Sequence, residues 1–222
     1  MEIQAKSSVG YLGVDIEQNV SGEKIAGKVI SKANSRLKFL YRKSRFLDSD
    51  TKKSLATALI QCHFDYACSS WFSGLTKGTK NKLQVCQNKL IRFTLGLTSR
   101  THLGSEHFKT VGWLPVAQRV EQIKLNHMFK IYNGVAPSYL SENFKLVREH
   151  HFYQTRASAK NFILPGVNSA GRDSFYYTGA KAWNELPNAI KSVNTISDFK
   201  MQVKKHLFQK IATMESAEFL FY

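Results

Sequence analysis

Apolar positions recur at helical spacing along most of the chain. From Ser21 to about Phe46, Ile25, Val29, Ala33, Leu37 and Leu40 follow one another at steps of four, four, four and three. That is the period of an amphipathic helix. A second helix is predicted from Asp48 or Asp50, either of which can cap it, to about Phe72. Its apolar residues fill two adjacent faces: Leu55, Leu59, Cys62 and Tyr66, then Ile60, Phe64, Ala67 and Trp71. Only Thr57, Gln61 and Asp65 form a polar ridge, so this helix is expected to be a buried central element. Gly74 and Gly78 flank the turn into a third helix, capped by Thr76 or Thr79 and reaching about Leu95. Its core face is Leu83, Cys86, Leu90 and Phe93. Three helices on short connections imply a small bundle.

The flanks are less periodic. SVGYLGVDIE alternates weakly around Gly10 and Gly13 and reads as a short strand or hairpin arm. A lone strand needs a partner, so the chain is expected to begin inside a larger fold. Beyond Gly96 a loop leads to a helix with Pro115 in its first turn and Gly134 and Pro137 at its end. Val116, Val120, Ile123, Met128 and Ile131 approximate its apolar face. Residues 141–173 are mixed, with NFILPGVNSAGRD extended and then turn-rich. SFYYTGAKAWNEL reads as a helix. A last one, from the cap Ser197 to about Ile211, presents Phe199, Val203 and Leu207 on one side and Lys200, Lys204 and Lys205 elsewhere. The fold class expected is mainly α, with a domain boundary near residue 100.

Charge changes the picture most. The 222 residues contain 32 Lys and Arg against 16 Asp and Glu, a formal net charge of +16. That excess goes beyond what solubility needs and favours a polyanionic partner. It is also unevenly placed. Between Glu23 and Asp48 there are eight basic residues and no acidic one. Lys24, Lys28, Lys32 and Arg36 stand at steps of four on one helical face, continued by Arg42, Lys43 and Arg45. Like charges at that spacing repel unless something anionic neutralises them, and a phosphate backbone does so with release of counterions. The plainer alternative is a solvated face. A second acid-free tract lies between Asp65 and Glu106 and carries Lys82, Lys89 and Arg92 among its cations. Lys82 and Lys89 share a helical face. The nucleic-acid-binding candidates are therefore Lys24, Lys28, Lys32, Arg36, Lys82, Lys89 and Arg92.

Other chemistries find less support. Cys62, Cys68 and Cys86 are three cysteines, an odd and sparse set that points away from a disulfide framework and towards core thiols in a reducing compartment. With His63, His102 and His107 they are the conceivable zinc ligands, but no C-x-x-C pair exists. Phe175, Tyr176, Tyr177 and Trp183 have ring faces for stacking, yet their helical spacing fits a core better. Two-metal nucleotidyl transfer needs converging carboxylates, and HFDYAC offers Asp65 alone. There is no G-x-x-x-x-G-K and no G-x-S-x-G. No catalytic residue, metal or cofactor is assigned. The N-terminus lacks the layout of a signal peptide, and Ser54–Thr76 is too polar to span a bilayer. The expectation is an intracellular, nuclear or cytoplasmic protein, not secreted.

Taken in order, the motifs resemble one family. YLGVDIE (11–17) looks like the segment that closes the palm and leads to the thumb in LINE-type, non-LTR retrotransposon reverse transcriptases. CHFDYACSSWFSGL (62–75) and NKLQVCQNKLIRFTLGL (81–97) are similar to the thumb-side pattern of the CR1, jockey and RTE-like groups. VGWLPVAQRVEQIKLNHMFKIYNGVAPSYL (111–140), Thr155–Arg156 and AWNELPNAIKSVNTISDFKMQVKKHL (182–207) resemble the region that follows. The resemblance implies a domain map: residues 1–20 as the end of a palm-like segment, 21–100 as a thumb-like helical bundle, 101–222 as a helical C-terminal domain. It also implies a chain that grips a template–primer duplex, of RNA, DNA or an RNA/DNA hybrid, beside a palm active site supplied by upstream sequence. None of the family's catalytic residues maps onto this chain, and the cysteine–histidine knuckle of some LINE groups has no counterpart at its C-terminal end. The alternatives are a non-catalytic part of an active RNA-directed DNA polymerase when joined to an upstream palm, and a non-functional relic.

Overall fold

The computed structural model describes residues 7–19, 21–149 and 159–213. Thr155–Arg156 lies outside them. The described chain is mainly helical with a two-stranded antiparallel hairpin at its N-terminal end. It forms two compact units, the first running to Ala117 and also taking in the chain from Ala212, the second covering Gln118–Ile211.

In the first unit, β1 (Ser8–Tyr11) pairs with β2 (Val14–Glu17), Tyr11 facing Val14 across a two-residue turn. Leu12 and Gly13 both take positive φ, 48° and 79°, the hairpin turn whose twist matches the strands it joins. The segment therefore supplies its own partner strand. Helix α1 (Glu23–Lys43) buries Ile25, Val29, Ala33, Leu37 and Leu40, the stripe predicted, and a single 3-10 turn carries it on to Phe46. Gly22 precedes it with φ 72°, so close beneath Trp71 that a Cβ would lie 2.5 Å from the Trp71 carbonyl oxygen.

The second predicted helix is not continuous. It runs as α2 (Ser49–Ala56), capped by the Asp48 carboxylate accepting from the Thr51 amide, through a π-helical turn at Thr57–Gln61 into α3 (Cys62–Asp65). It then breaks at Tyr66 and Ala67 before α4 (Cys68–Trp71). Ala67 sits at φ 49°, a conformation that a residue with a Cβ adopts at some cost. The break has structural partners. The Tyr66 carbonyl accepts from the Trp71 indole at 3.1 Å, and the Tyr66 hydroxyl donates to the Leu12 carbonyl at 2.5 Å. Nor is the segment buried all round. Ala56, Ile60, Phe64, Cys68 and Trp71 face the core, whereas Cys62, Tyr66 and Ala67 are exposed and Gln61, expected on the polar ridge, is buried. The π turn adds a residue to the helical cycle and so rotates Gln61 inward. Of the three thiols expected in the core, Cys68 and Cys86 are there and Cys62 is not.

Helix α5 (Lys77–Leu95) begins at Thr76, whose hydroxyl accepts from the Thr79 amide, and ends at Gly96 in the left-handed conformation. Leu83, Cys86, Leu90 and Phe93 are buried as predicted. It packs along α1 and α2, and α6 (Ser105–Val111) packs on it. That packing keeps α6 in the first unit, which runs to Ala117.

The second unit centres on aromatic packing. Helix α7 (Val116–Tyr132), α8 (Ser138–Ser141), α9 (Phe175–Glu185), α10 (Asn188–Lys191) and α11 (Ile196–Thr213) supply its helices. Phe129 stacks on Phe199 at 4.4 Å between ring centroids, and Trp183, fully buried, lies 5.8 Å from Phe199 and 5.1 Å from Tyr132. Trp183 is thus core, and Phe175 and Tyr176 lean edge-on against Phe144. The extended stretch is held by an isolated bridge between Leu146 and Phe162 and by Asn184, whose side-chain amide exchanges two 2.8 Å hydrogen bonds with the Phe162 backbone. Helix α11 starts before its predicted cap: Thr195, not Ser197, accepts from the Asp198 amide.

Candidate nucleic-acid interface

The seven basic candidates all lie on α1 and α5, but they do not share one environment. Lys24 and Lys28 project from the first two turns of α1 towards β2, where Asp15 meets both. The Lys28 ammonium is 2.5 Å from its carboxylate and the Lys24 ammonium 3.6 Å, with Lys24 also donating to the Ser8 hydroxyl at 2.7 Å. The Lys28 hydrogen bond leads the effects that hold the Asp15 carboxyl below its usual range. Part of the stripe's repulsion is thereby relieved within the chain, by a carboxylate on the neighbouring strand. Both lysines remain exposed enough to meet a second anion.

Arg36 is different. Its guanidinium turns inward, donating to the Leu59 carbonyl at 2.5 Å and contacting the His63 ring nitrogen. Burial, with Arg36 and Lys32 adding to it, lowers the His63 pKa and favours a neutral ring that accepts from the guanidinium. The π turn at Thr57–Gln61 loosens the regular ladder beside Leu59, and Arg36 uses the carbonyl there. Arg36, half-buried, therefore fastens α1 to the α2–α3 segment through these two contacts. Arg92 behaves likewise: half-buried, it donates from Nε to the Thr101 carbonyl at 3.0 Å and pins the loop after α5. Spacing along one helix carries no sign of either partner, because both lie on other segments.

Lys32, Lys82 and Lys89 are exposed. Lys82 and Lys89 stand two turns apart on α5 at the edge of a groove of about 440 Å³ between α1 and α5. Ile30 and Asn34 of α1 face them, with Asn81 and Cys86 on the α5 side. Burial raises the Cys86 thiol pKa, partly offset by Lys89, so the sulfur is a neutral part of the floor. No carboxylate lines the groove among the described residues. The single acidic residue of α1, Glu23, lies at its end and is committed elsewhere: its carboxylate accepts from the Thr79 hydroxyl at 2.6 Å and the Thr76 amide at 2.8 Å, which together hold its pKa low. Asn34 and Asn81 add neutral donors and acceptors between the cations. The arrangement can hold a linear polyanion by point charges and amides.

Further basic residues that continue the stripe, Arg42 and Arg45, are engaged with rings. The Arg42 guanidinium lies 5.9 Å from the centroid of Phe39 and that of Arg45 4.6 Å from Phe46, within cation–π range. The rings at 175–183, whose spacing already fits a core better than stacking, pack largely within the second unit. Phe39 and Phe46 stand in solvent, and KFLYRKSRF displays their alternation of ring and cation openly.

Among the described residues no three His, Cys, Asp or Glu side chains converge so as to hold a metal ion. Asp65 accepts from the buried Gln61 amide at 3.4 Å. No helix among the described residues is long and apolar enough to cross a membrane. No protein-family model matches the chain, and neither does any curated protein or solved structure.

Proposed function

We propose that this chain is a nucleic-acid-binding module of the non-LTR reverse-transcriptase type, gripping an RNA, DNA or hybrid duplex through phosphate contacts and lacking polymerase chemistry of its own. The observation that carries the reading is the pairing of the two basic helices: α1 and α5 pack together, and the groove between them is edged by Lys82 and Lys89 with no carboxylate in its described lining. Cations concentrated along a groove attract a phosphate backbone and release its counterions. The reverse-transcriptase assignment is supported by the order of motifs from YLGVDIE to the last helix, and the partner it implies is a palm supplied in the same polypeptide. Among the described residues no carboxylates converge as two-metal catalysis needs, and primer extension by the 222 residues is expected to be undetectable.

Charge reversal tests the interface. Lys32→Glu, Lys82→Glu and Lys89→Glu combined should weaken binding to a hybrid duplex about equally for every sequence. Removing one phosphate interaction should lower the slope of log affinity against log salt by about 1. Affinity and slope unchanged in the triple variant would leave the groove without a role in binding.

A further inference from the structure

Phe39 and Phe46 are large apolar side chains held in solvent, 53% and 69% exposed. They are not the edge of a wider apolar surface. The apolar face of α1 is turned into the core, as Ile25 through Leu40 show. What surrounds the two rings is cationic: Lys38, Arg42, Lys43 and Arg45 lie on the same short stretch and are exposed. The nearest acidic side chain along the chain, Asp48, is occupied capping α2. Tyr41, between them, is also exposed at 46%, but its ring is set edge-on to Phe93 at 5.1 Å and its hydroxyl donates to the Lys89 carbonyl at 3.4 Å. Phe39 also continues the stripe, because it follows Lys32 by two turns along nearly the same line of the helix.

Resting on the nucleic-acid reading above, we infer that Phe39 and Phe46, each partnered by an arginine, form a stacking platform for unpaired bases at the C-terminal end of α1. A nucleotide presents a π face and a phosphate together, which matches a ring beside a cation repeated twice. A bilayer surface would need a broad apolar face next to the charges, and a few rings set among cations, on a helix whose apolar face is buried, do not supply one. An acidic peptide would use the cations and leave the rings wet. The platform gives the module a way to hold the single strand that leaves a duplex, with a specificity for unpaired over paired bases that phosphate contacts alone do not confer.

The test uses the full 222-residue chain and the double variant Phe39→Leu/Phe46→Leu, which keeps apolar bulk and removes the ring faces. Binding is measured to an oligonucleotide carrying 2-aminopurine, single-stranded, and to the same sequence fully paired, across a salt series. The expected result is a loss of roughly tenfold or more for the single strand, reduced perturbation of 2-aminopurine fluorescence, and duplex affinity and salt slope unchanged. Single-strand affinity equal to that of the unaltered protein would overturn the platform while leaving the groove standing. Equal losses for single strand and duplex would also overturn it, since stacking on unpaired bases spares the duplex. Unaltered protein that binds neither probe would sink the groove and the platform together. Variant-sensitive binding to phosphatidylserine vesicles, with oligonucleotide binding untouched, would assign the rings to a membrane instead.

Discussion

Lys191 shows how a single residue records its surroundings. It is buried, donating to the Asn161 side-chain oxygen at 2.9 Å and the Asn184 carbonyl at 3.0 Å. Neither acceptor is charged. Burial, with Lys160 nearby adding to it, pushes the Lys191 pKa down from 10.5 to about 8. Below pH 8 keeping this ammonium charged destabilises the folded chain. Between about pH 8 and 10.5 the unfolded chain still holds the proton that the folded chain has released, so stability rises with pH across that window. Other groups titrate there too, and the difference between unaltered protein and Lys191→Met isolates this one. Denaturant unfolding at about pH 7.5 and about pH 9.5 should show the unaltered protein gaining more stability than the variant. Equal gains would mean that Lys191 titrates normally. Trp183, Asn184 and Lys191 together fasten residues 160–162 to α9 and α10, the tryptophan through its indole donating to the Lys160 carbonyl at 2.8 Å.

At the scale of elements, the hairpin and α1 form the most informative pair. Asp15 on β2 covers Lys24 and Lys28, and Tyr66 holds the hairpin tip. If the stripe meets phosphate, Asp15 competes with it. Asp15→Asn should therefore tighten binding to a hybrid duplex a few-fold at low salt and steepen its salt dependence, while loosening the hairpin. Unaltered or weaker binding would mean that Lys24 and Lys28 serve only the fold. The elements also differ in how far the sequence discloses them. Helix α5 is legible nearly to the residue, because Thr76, Gly96 and a clean apolar face act within the helix. The break at Ala67 is not, because a periodicity of apolar residues is blind to one left-handed residue and to a π turn. Hairpin pairing is half legible: Gly13 marks the turn, but Leu12 at positive φ gives no compositional cue. The internal contacts of Arg36 and Arg92 are hidden for a related reason. Their charges are visible in order along one helix, whereas the Leu59, His63 and Thr101 partners that claim them come from other stretches.

For the whole molecule, the charge of +16 sets the expectation and the placement of acids refines it. Asp15 and Glu23 are engaged by internal partners, while Lys32, Lys82 and Lys89 stay in solvent. That division separates a structural subset of the basic residues from a subset open to a ligand, and linear order alone does not draw the line. Phosphate-driven binding stands or falls on the affinity of the unaltered chain for an RNA/DNA hybrid duplex as a function of salt. Binding is expected at low salt and should weaken linearly on logarithmic axes, with a slope of about −2 to −4 for the few contacts that the exposed lysines supply. No binding at low salt, or an affinity indifferent to salt, would contradict it.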